Sequence, residues 1–160
     1  MRVTFFARHP ETQHMSEVPR DDDCIFCSIV SGAIPARTVH ETDAVLAFLD
    51  VNPLAPGHTL VIPKAHYETL GDLPDDLRGD VLSALGELTT VVEAAVDADA
   101  SNVGFNNGEA SGQEIPHLHG HVIPRFAGDG GNPIHAVGGS PPDLSDEELD
   151  EIADRIGAEV

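Results

Sequence analysis

Gln113-Glu114-Ile115-Pro116-His117-Leu118-His119-Gly120-His121-Val122-Ile123-Pro124-Arg125 carries three histidines spaced two residues apart. Successive side chains of a β-strand point to opposite faces. The spacing therefore predicts a strand with His117, His119 and His121 on one face and Leu118, Gly120 and Val122 on the other. A helix would scatter the same rings around its axis. The Val122-Ile123 continuation, the prolines at both ends and the lack of strong helix formers favour a strand of about seven residues.

Neutral imidazole is a nucleophile, an acid or base near pH 7, and a metal ligand. A lone histidine in a strand is more often a packed or edge residue than a catalyst. Three in register, preceded by Gly112-Gln113 and followed by Pro124-Arg125, point to chemistry.

Working outward, Ala44-Val45-Leu46-Ala47-Phe48-Leu49-Asp50 and Arg37-Thr38-Val39-His40-Glu41 read as a hairpin across Thr42-Asp43. The Pro/Gly loop Val51–Gly57 leads to a strand, His58-Thr59-Leu60-Val61-Ile62-Pro63, and then Lys64-Ala65-His66. Pro74 with Asp75 and Asp76 opens a helix. Its apolar stripe Leu77, Val81, Leu85 (or Ala84), Leu88, Val92 runs to about Asp97. Asn102–Asn106 is a further strand, and Asn107–Gly112 is a polar Gly-rich turn whose amides suit a phosphate or a plain hairpin. After Gly128–Pro142, a Gly/Pro-rich loop that holds His135, Ser145-Asp146-Glu147-Glu148 is a capping box. It opens a terminal helix whose expected buried stripe is Leu149, Ile152 and Ile156. This order predicts an α+β domain: an antiparallel sheet, one long helix and short flanking helices, with the helices on one side.

Cys24 and Cys27, the only cysteines, sit at the start of a short helix expected to stop at Gly32. A redox role for Cys-x-x-Cys wants a preceding strand and a βαβ context, which are missing here. Half of a metal site is favoured, with histidines as the other ligands. Residues 1–23, with Pro10, Pro19 and Asp21-Asp22-Asp23, are expected to be a disordered extension. Met15 is a possible start, and His9 and His14 are given no role.

The 160 residues hold 28 acidic and 8 basic side chains, net charge −20, and Lys64 is the only lysine. Such a surface repels nucleic acid polymers and anionic membranes unless salt screens it, and a halophilic cytoplasm explains it best. No apolar run has the length of a membrane span or a secretory signal, so a cytoplasmic protein is expected. Val51–Tyr67 and Ile115–Gly128 contain no acid yet hold five of the nine histidines, together with Lys64 and Arg125. That gap suggests a site reserved for an anion.

His-Leu-His-Gly-His-Val-Ile resembles the signature of the histidine triad (HIT) family of nucleotide hydrolases and transferases, His-φ-His-φ-His-φ-φ with φ apolar. Gly120 departs at one φ position, which bears on local packing more than on chemistry. The run Ala47-Phe48-Leu49-Asp50 through His66 resembles a second block of that family. The resemblance covers roughly residues 24–126, leaving 127–160 as loop and C-terminal helix.

It implies transfer of a nucleoside monophosphate from an AMP-type purine nucleotide substrate onto a histidine, breaking a phosphoramidate or phosphoanhydride bond. His119 matches the nucleophile, its second nitrogen donating to a backbone carbonyl. His121 and His58 match the phosphate-side cluster, and Asp50 the carboxylate that binds ribose hydroxyls. Asn106 and Gln113 match amides that steady the phosphate. Glu114 stands near the leaving group, where relatives carry a small hydroxyl. Cys24 and Cys27 fit the zinc-bearing version, and ligand arithmetic adds His66 and His117 as partners in a structural Zn²⁺ site. A homodimer is implied. Dinucleoside polyphosphate hydrolysis, or nucleotide binding without turnover, are the alternative readings.

Overall fold

The computed structural model describes residues 18–160. Met15, His9 and His14 lie outside them, as does the expected disordered extension up to residue 17. Of that extension, Pro19 accepts a hydrogen bond from the His66 N–H (2.8 Å) and Asp21 one from the Cys24 N–H (3.2 Å).

Two compact units divide the described residues, one up to residue 127 and one of residues 128–160. The first holds five strands, β1 (Thr38–Glu41), β2 (Val45–Leu49), β3 (Thr59–Pro63), β4 (Ala100–Phe105) and β5 (Gly120–Arg125). It also holds two helices, α1 (Ile25–Val30) and α2 (Asp75–Ala95). The strands form one antiparallel sheet in the order β1-β2-β3-β5-β4. Central strands β2 and β3 read as unbroken apolar runs because both of their faces are covered. Val45, Ala47 and Val61 pack with α2, whereas Leu46, Phe48, Leu60 and Ile62 pack with Phe26 of α1 and the two cysteines. The expectation of helices on one side is thereby corrected. α1 is too short to show an amphipathic period, so its side of the sheet could not be read from the sequence.

α2 starts after Pro74, with Asp75 and Asp76 in its first turn, and buries Val81, Ala84, Leu85, Leu88 and Val92. Arg78 fastens its start by donating to the carbonyls of Leu70 and Leu73 and to Asp75. Truncating one of the buried leucines to alanine would cost about 2–5 kcal/mol. No described helix is long and apolar enough to cross a membrane.

The triad strand is shorter than expected and begins at Gly120. Ladder pairing stops there: β4 ends at Phe105 opposite Gly120, and β3 pairs with β5 only as far as Val61 although it continues to Pro63 against β2. His117 and Leu118 are held by other means, the Leu118 N–H donating to the Tyr67 carbonyl at 2.7 Å. The alternation of faces nevertheless persists, since Leu118 and Val122 join the α2 core while the histidines face the α1 side. Gly120 has a packing reason. A Cβ there would lie 2.9 Å from the Phe105 ring and 3.1 Å from Leu85, because the ring of its cross-strand partner occupies that space.

The second unit contains α3 (Asp146–Gly157), capped as expected by Ser145, which accepts from the Glu148 N–H while Glu148 accepts from the Ser145 N–H. Its stripe is not buried: Leu149 is 49% and Ile156 62% exposed, and no residue of α3 is buried. Amphipathic spacing specifies a face to cover, not the element that covers it.

Candidate active site

At one end of the histidine row, α1 carries Cys24 at its N-cap and Cys27 at its third position, both buried. His66 and His117 complete a cluster in which all four donor atoms lie within 4.8 Å of one another. Zinc bond lengths of about 2.3 Å to sulfur and 2.05 Å to nitrogen, in a tetrahedron, place S and N ligands about 3.5 Å apart. Cys24 Sγ is 3.4 Å from His117 Nδ1, and Cys27 Sγ is 3.4 Å from His66 Nδ1 and 3.7 Å from His117 Nδ1. The outer partners fit as well. His117 Nε2–H donates to the Pro63 carbonyl at 2.9 Å, which leaves the Nδ1 lone pair aimed at the thiols, and His66 Nε2 lies 4.0 Å from the Asp21 carboxylate. Burial pushes the Cys27 thiol up against the opposing Asp21 N–H that donates to its sulfur, and Cys24 adds to the rise. The four donors suit one tetrahedral cation.

His119 is next along the row and 8% exposed. Its Nδ1–H donates to the backbone carbonyl of His117 at 2.7 Å. A carbonyl can only accept, so this bond places the proton on Nδ1 and the lone pair on Nε2. Phe26 packs edge-on against both His117 and His119, with ring centroids 5.7 and 5.2 Å away.

Beyond it, the His121 ring lies 5.1 Å from that of His119. His58 Nδ1 accepts from the Leu54 N–H at 3.2 Å, so its proton sits on Nε2, which donates to His121 Nδ1 at 3.0 Å. His121 then carries its own proton on Nε2. Among the described residues that atom is buried without a hydrogen-bond partner. Leaving such a donor unmade costs about 1–3 kcal/mol, and native folds rarely tolerate it without a use. Burial, reinforced by the neighbouring His119 and His58, lowers His121 to about 4, and burial lowers His58 as well. Asp50 Oδ2 stands 3.7 Å from His58 Nδ1, while Asp50 Oδ1 accepts from the Asn52 N–H.

The sequence that builds this row of imidazoles matches a known family. The HIT domain model matches residues 31–128. The chain belongs to the HIT family. It is 47% identical over 107 residues to an uncharacterized HIT-like protein of Methanocaldococcus jannaschii, covering 67% of this chain and 82% of the relative. It is 41% identical over 104 residues to adenylylsulfatase HINT3 of Arabidopsis thaliana, covering 65% and 53%. With the adenosine 5'-monophosphoramidase of Candida albicans it shares 39% over 106 residues, covering 64% and 70%. The crystal structure of a HIT family member from Bacillus subtilis superposes with a TM-score of 0.77 at 34% identity, covering 87% of this chain and 98% of that one.

Other residues expected at the HIT site are placed differently. Gln113 has its whole amide engaged within the loop: Nε2 donates to the Glu68 and Ile115 carbonyls, and Oε1 accepts from the Gly108 N–H. Here it braces the loop instead of offering a free donor. Asn106 donates to the Gly112 carbonyl at 3.4 Å. Lys64 pairs with Glu41 at 2.6 Å and Arg125 donates to Asn102. The acid-free surround therefore offers an anion imidazole N–H groups more than these two cations. Glu114 joins Glu68 and Glu109 around an open depression beside Gln113. His135 lies in the second unit, in the short 3₁₀ turn Ile134–Gly138.

Sequence reasoning missed Phe26, the Pro63 carbonyl and the Leu54 N–H. Phe26 gave a faint signal by its place between the cysteines. Backbone groups give none.

Proposed function

We propose that this HIT protein is a nucleotidyl hydrolase or transferase that cleaves a phosphoramidate bond at the α-phosphate of a purine nucleotide through a nucleotidyl-His119 intermediate. The observation that carries this is the His119 Nδ1 bond to the His117 carbonyl, which leaves the Nε2 lone pair available. In the reaction Nε2 attacks phosphorus, the P–N bond breaks, and water later displaces the imidazole. His121 Nε2–H, unpartnered among the described residues, donates to a phosphoryl oxygen or to the leaving amine as charge develops. His58 holds His121, Asp50 accepts from the ribose hydroxyls, and Asn106 and Gln113 act through the loop that flanks the phosphate.

The names borne by the Candida and Arabidopsis relatives support an adenylyl group with a variable leaving group. The carboxylates of Glu68, Glu109 and Glu114 weigh against a polyphosphate leaving group and favour an amine. Parallel assays of adenosine 5'-phosphoramidate and diadenosine polyphosphates test this choice. Faster turnover of the phosphoramidate is expected, and a preference for the dinucleotides would reverse it. Tight AMP binding with turnover of neither would make the protein a binding module.

The metal we assign is a structural Zn²⁺ held by Cys24, Cys27, His66 and His117, in a cytoplasm that keeps thiols reduced. It would fix α1 and the His117 backbone beneath His119. A homodimer formed through α2 and edge strand β4 would cover Leu82, Val91 and Val103, now 45%, 60% and 37% exposed. Light scattering in molar salt should give twice the chain mass; a monomer there would refute the pairing.

A further inference from the structure

His58 Nδ1 faces two groups that demand opposite things of it. The Leu54 N–H, 3.2 Å away, needs a lone pair to receive it. The Asp50 carboxylate, 3.7 Å from the same nitrogen, favours a proton there. Whichever wins decides more than His58. With the lone pair on Nδ1, His58 Nε2–H donates to His121 Nδ1, and His121 presents an Nε2–H donor. With the proton on Nδ1, His58 Nε2 becomes the acceptor, His121 donates from Nδ1, and its Nε2 presents a lone pair. The first arrangement attracts a phosphoryl oxygen and the second repels it.

We propose that the backbone N–H of Leu54 is the positioning group that selects the donor arrangement of His121 against the pull of Asp50. The loop is built to hold that amide still. Pro53 and Pro56 fix the backbone on either side, and the His58 N–H closes a turn onto the Ala55 carbonyl at 3.1 Å. His58 is 2% exposed, so no solvent replaces the Leu54 donor. The Leu54 side chain is 76% exposed and takes no part, which leaves the amide as its contribution. His121 Nε2 is the independent geometric observation: it is buried with no hydrogen-bond partner among the described residues, so the tautomer set at His58 is presented at an atom still open to a ligand. This proposal deepens the nucleotidyl-transfer reading and rests on it for the identity of that ligand as a phosphoryl oxygen.

Nitrogen NMR of the ¹⁵N-histidine-labelled full chain tests it, since protonated and unprotonated imidazole nitrogens are readily told apart. Protons on Nε2 of both His58 and His121 are expected; a proton on Nδ1 of either ring in the unmodified protein would overturn the proposal. Replacing Leu54 by its α-hydroxy acid analogue turns the amide into an ester, keeping the side chain and removing the N–H. His58 should then carry its proton on Nδ1, His121 should follow, and phosphoramidate turnover should fall about a hundredfold, as when one transition-state donor is removed. An unchanged nitrogen pattern in the folded ester protein would overturn the proposal. Leu54→Ala keeps the N–H and should keep the pattern; inversion in that variant would assign the effect to the side chain and overturn it too. The nitrogen pattern is read without turnover. A wrong pattern therefore leaves nucleotidyl transfer to His119 standing, whereas a correct pattern without turnover sinks that activity instead.

Discussion

His117 and His121 stand four residues apart in the same row, and burial lowers each to about 4, yet their nitrogens are used in opposite ways. Both nitrogens of His117 are committed, one to the Pro63 carbonyl and one toward the thiols of Cys24 and Cys27. His121 commits one nitrogen to His58 and leaves the other buried and unpaired among the described residues. Burial alone therefore does not separate a structural histidine from one held for a ligand. The inventory of donors and acceptors around each nitrogen does, and His119 lies between the two ends with its tautomer fixed by the His117 backbone.

The strongest way to break this contrast is His119→Asn, which removes the nitrogen we propose as nucleophile and should keep the fold. Turnover should fall by several orders of magnitude while AMP binding, metal content and melting temperature stay near the unmodified protein's. Steady-state kinetics and calorimetry check it, with His135→Asn as a companion expected to change little. Near-normal rates in His119→Asn would remove the functional end of the comparison.

Cys24→Ser addresses the structural end. Metal analysis of protein purified without added zinc should give about one ion per unmodified chain and none in the variant, and the variant should lose several kcal/mol of stability. No metal in the unmodified protein even after zinc is supplied would contradict the assignment.

Acid should act on both ends. Folded-state values near 4 for His121 and metal-free His117 lie below the ordinary 6.5, so the unfolded chain binds more protons in that window. Stability contributed by keeping these rings neutral is present above pH 6.5 and is lost as pH falls toward 4, on the order of 2–3 kcal/mol per ring. Urea titrations of chelated protein at stepped pH should show that fall, and a flat profile would mean the rings are not held neutral by burial. Salt gives the smallest effect expected. Net charge −20 implies a higher melting temperature as potassium chloride rises from about 0.1 M to 1 M, over which the Debye length falls from about 10 Å to 3 Å. An unchanged temperature would end the halophilic reading.

How much of this was legible before the structure depends on which atoms carry it. α2 announced itself, because its stripe, its Pro74 start and its acidic first turn agree. The triad spacing correctly put His117, His119 and His121 on one face, although ladder pairing with β3 and β4 reaches back only to Gly120. Cys24, Cys27, His66 and His117 were named from ligand chemistry and stand together in space. The failures share a cause. α3 has a readable apolar stripe, but no sequence pattern states what lies opposite it. Gln113 was named by its place beside the triad, but its bonds to the backbone of Gly108, Ile115 and Glu68, the last 45 residues away, leave no trace in the sequence. Leu54 acts through a group that every residue except proline possesses.

The central claim is that His119 becomes covalently nucleotidylated, and trapping that species tests it most directly. A reaction with adenosine 5'-phosphoramidate is quenched during turnover, digested, and examined by mass spectrometry for an acid-labile AMP adduct on the peptide that contains His119. The account predicts that adduct in the unmodified protein and its absence in His119→Asn. Sustained turnover with no adduct at any quench time, or an adduct carried by another residue, would contradict it.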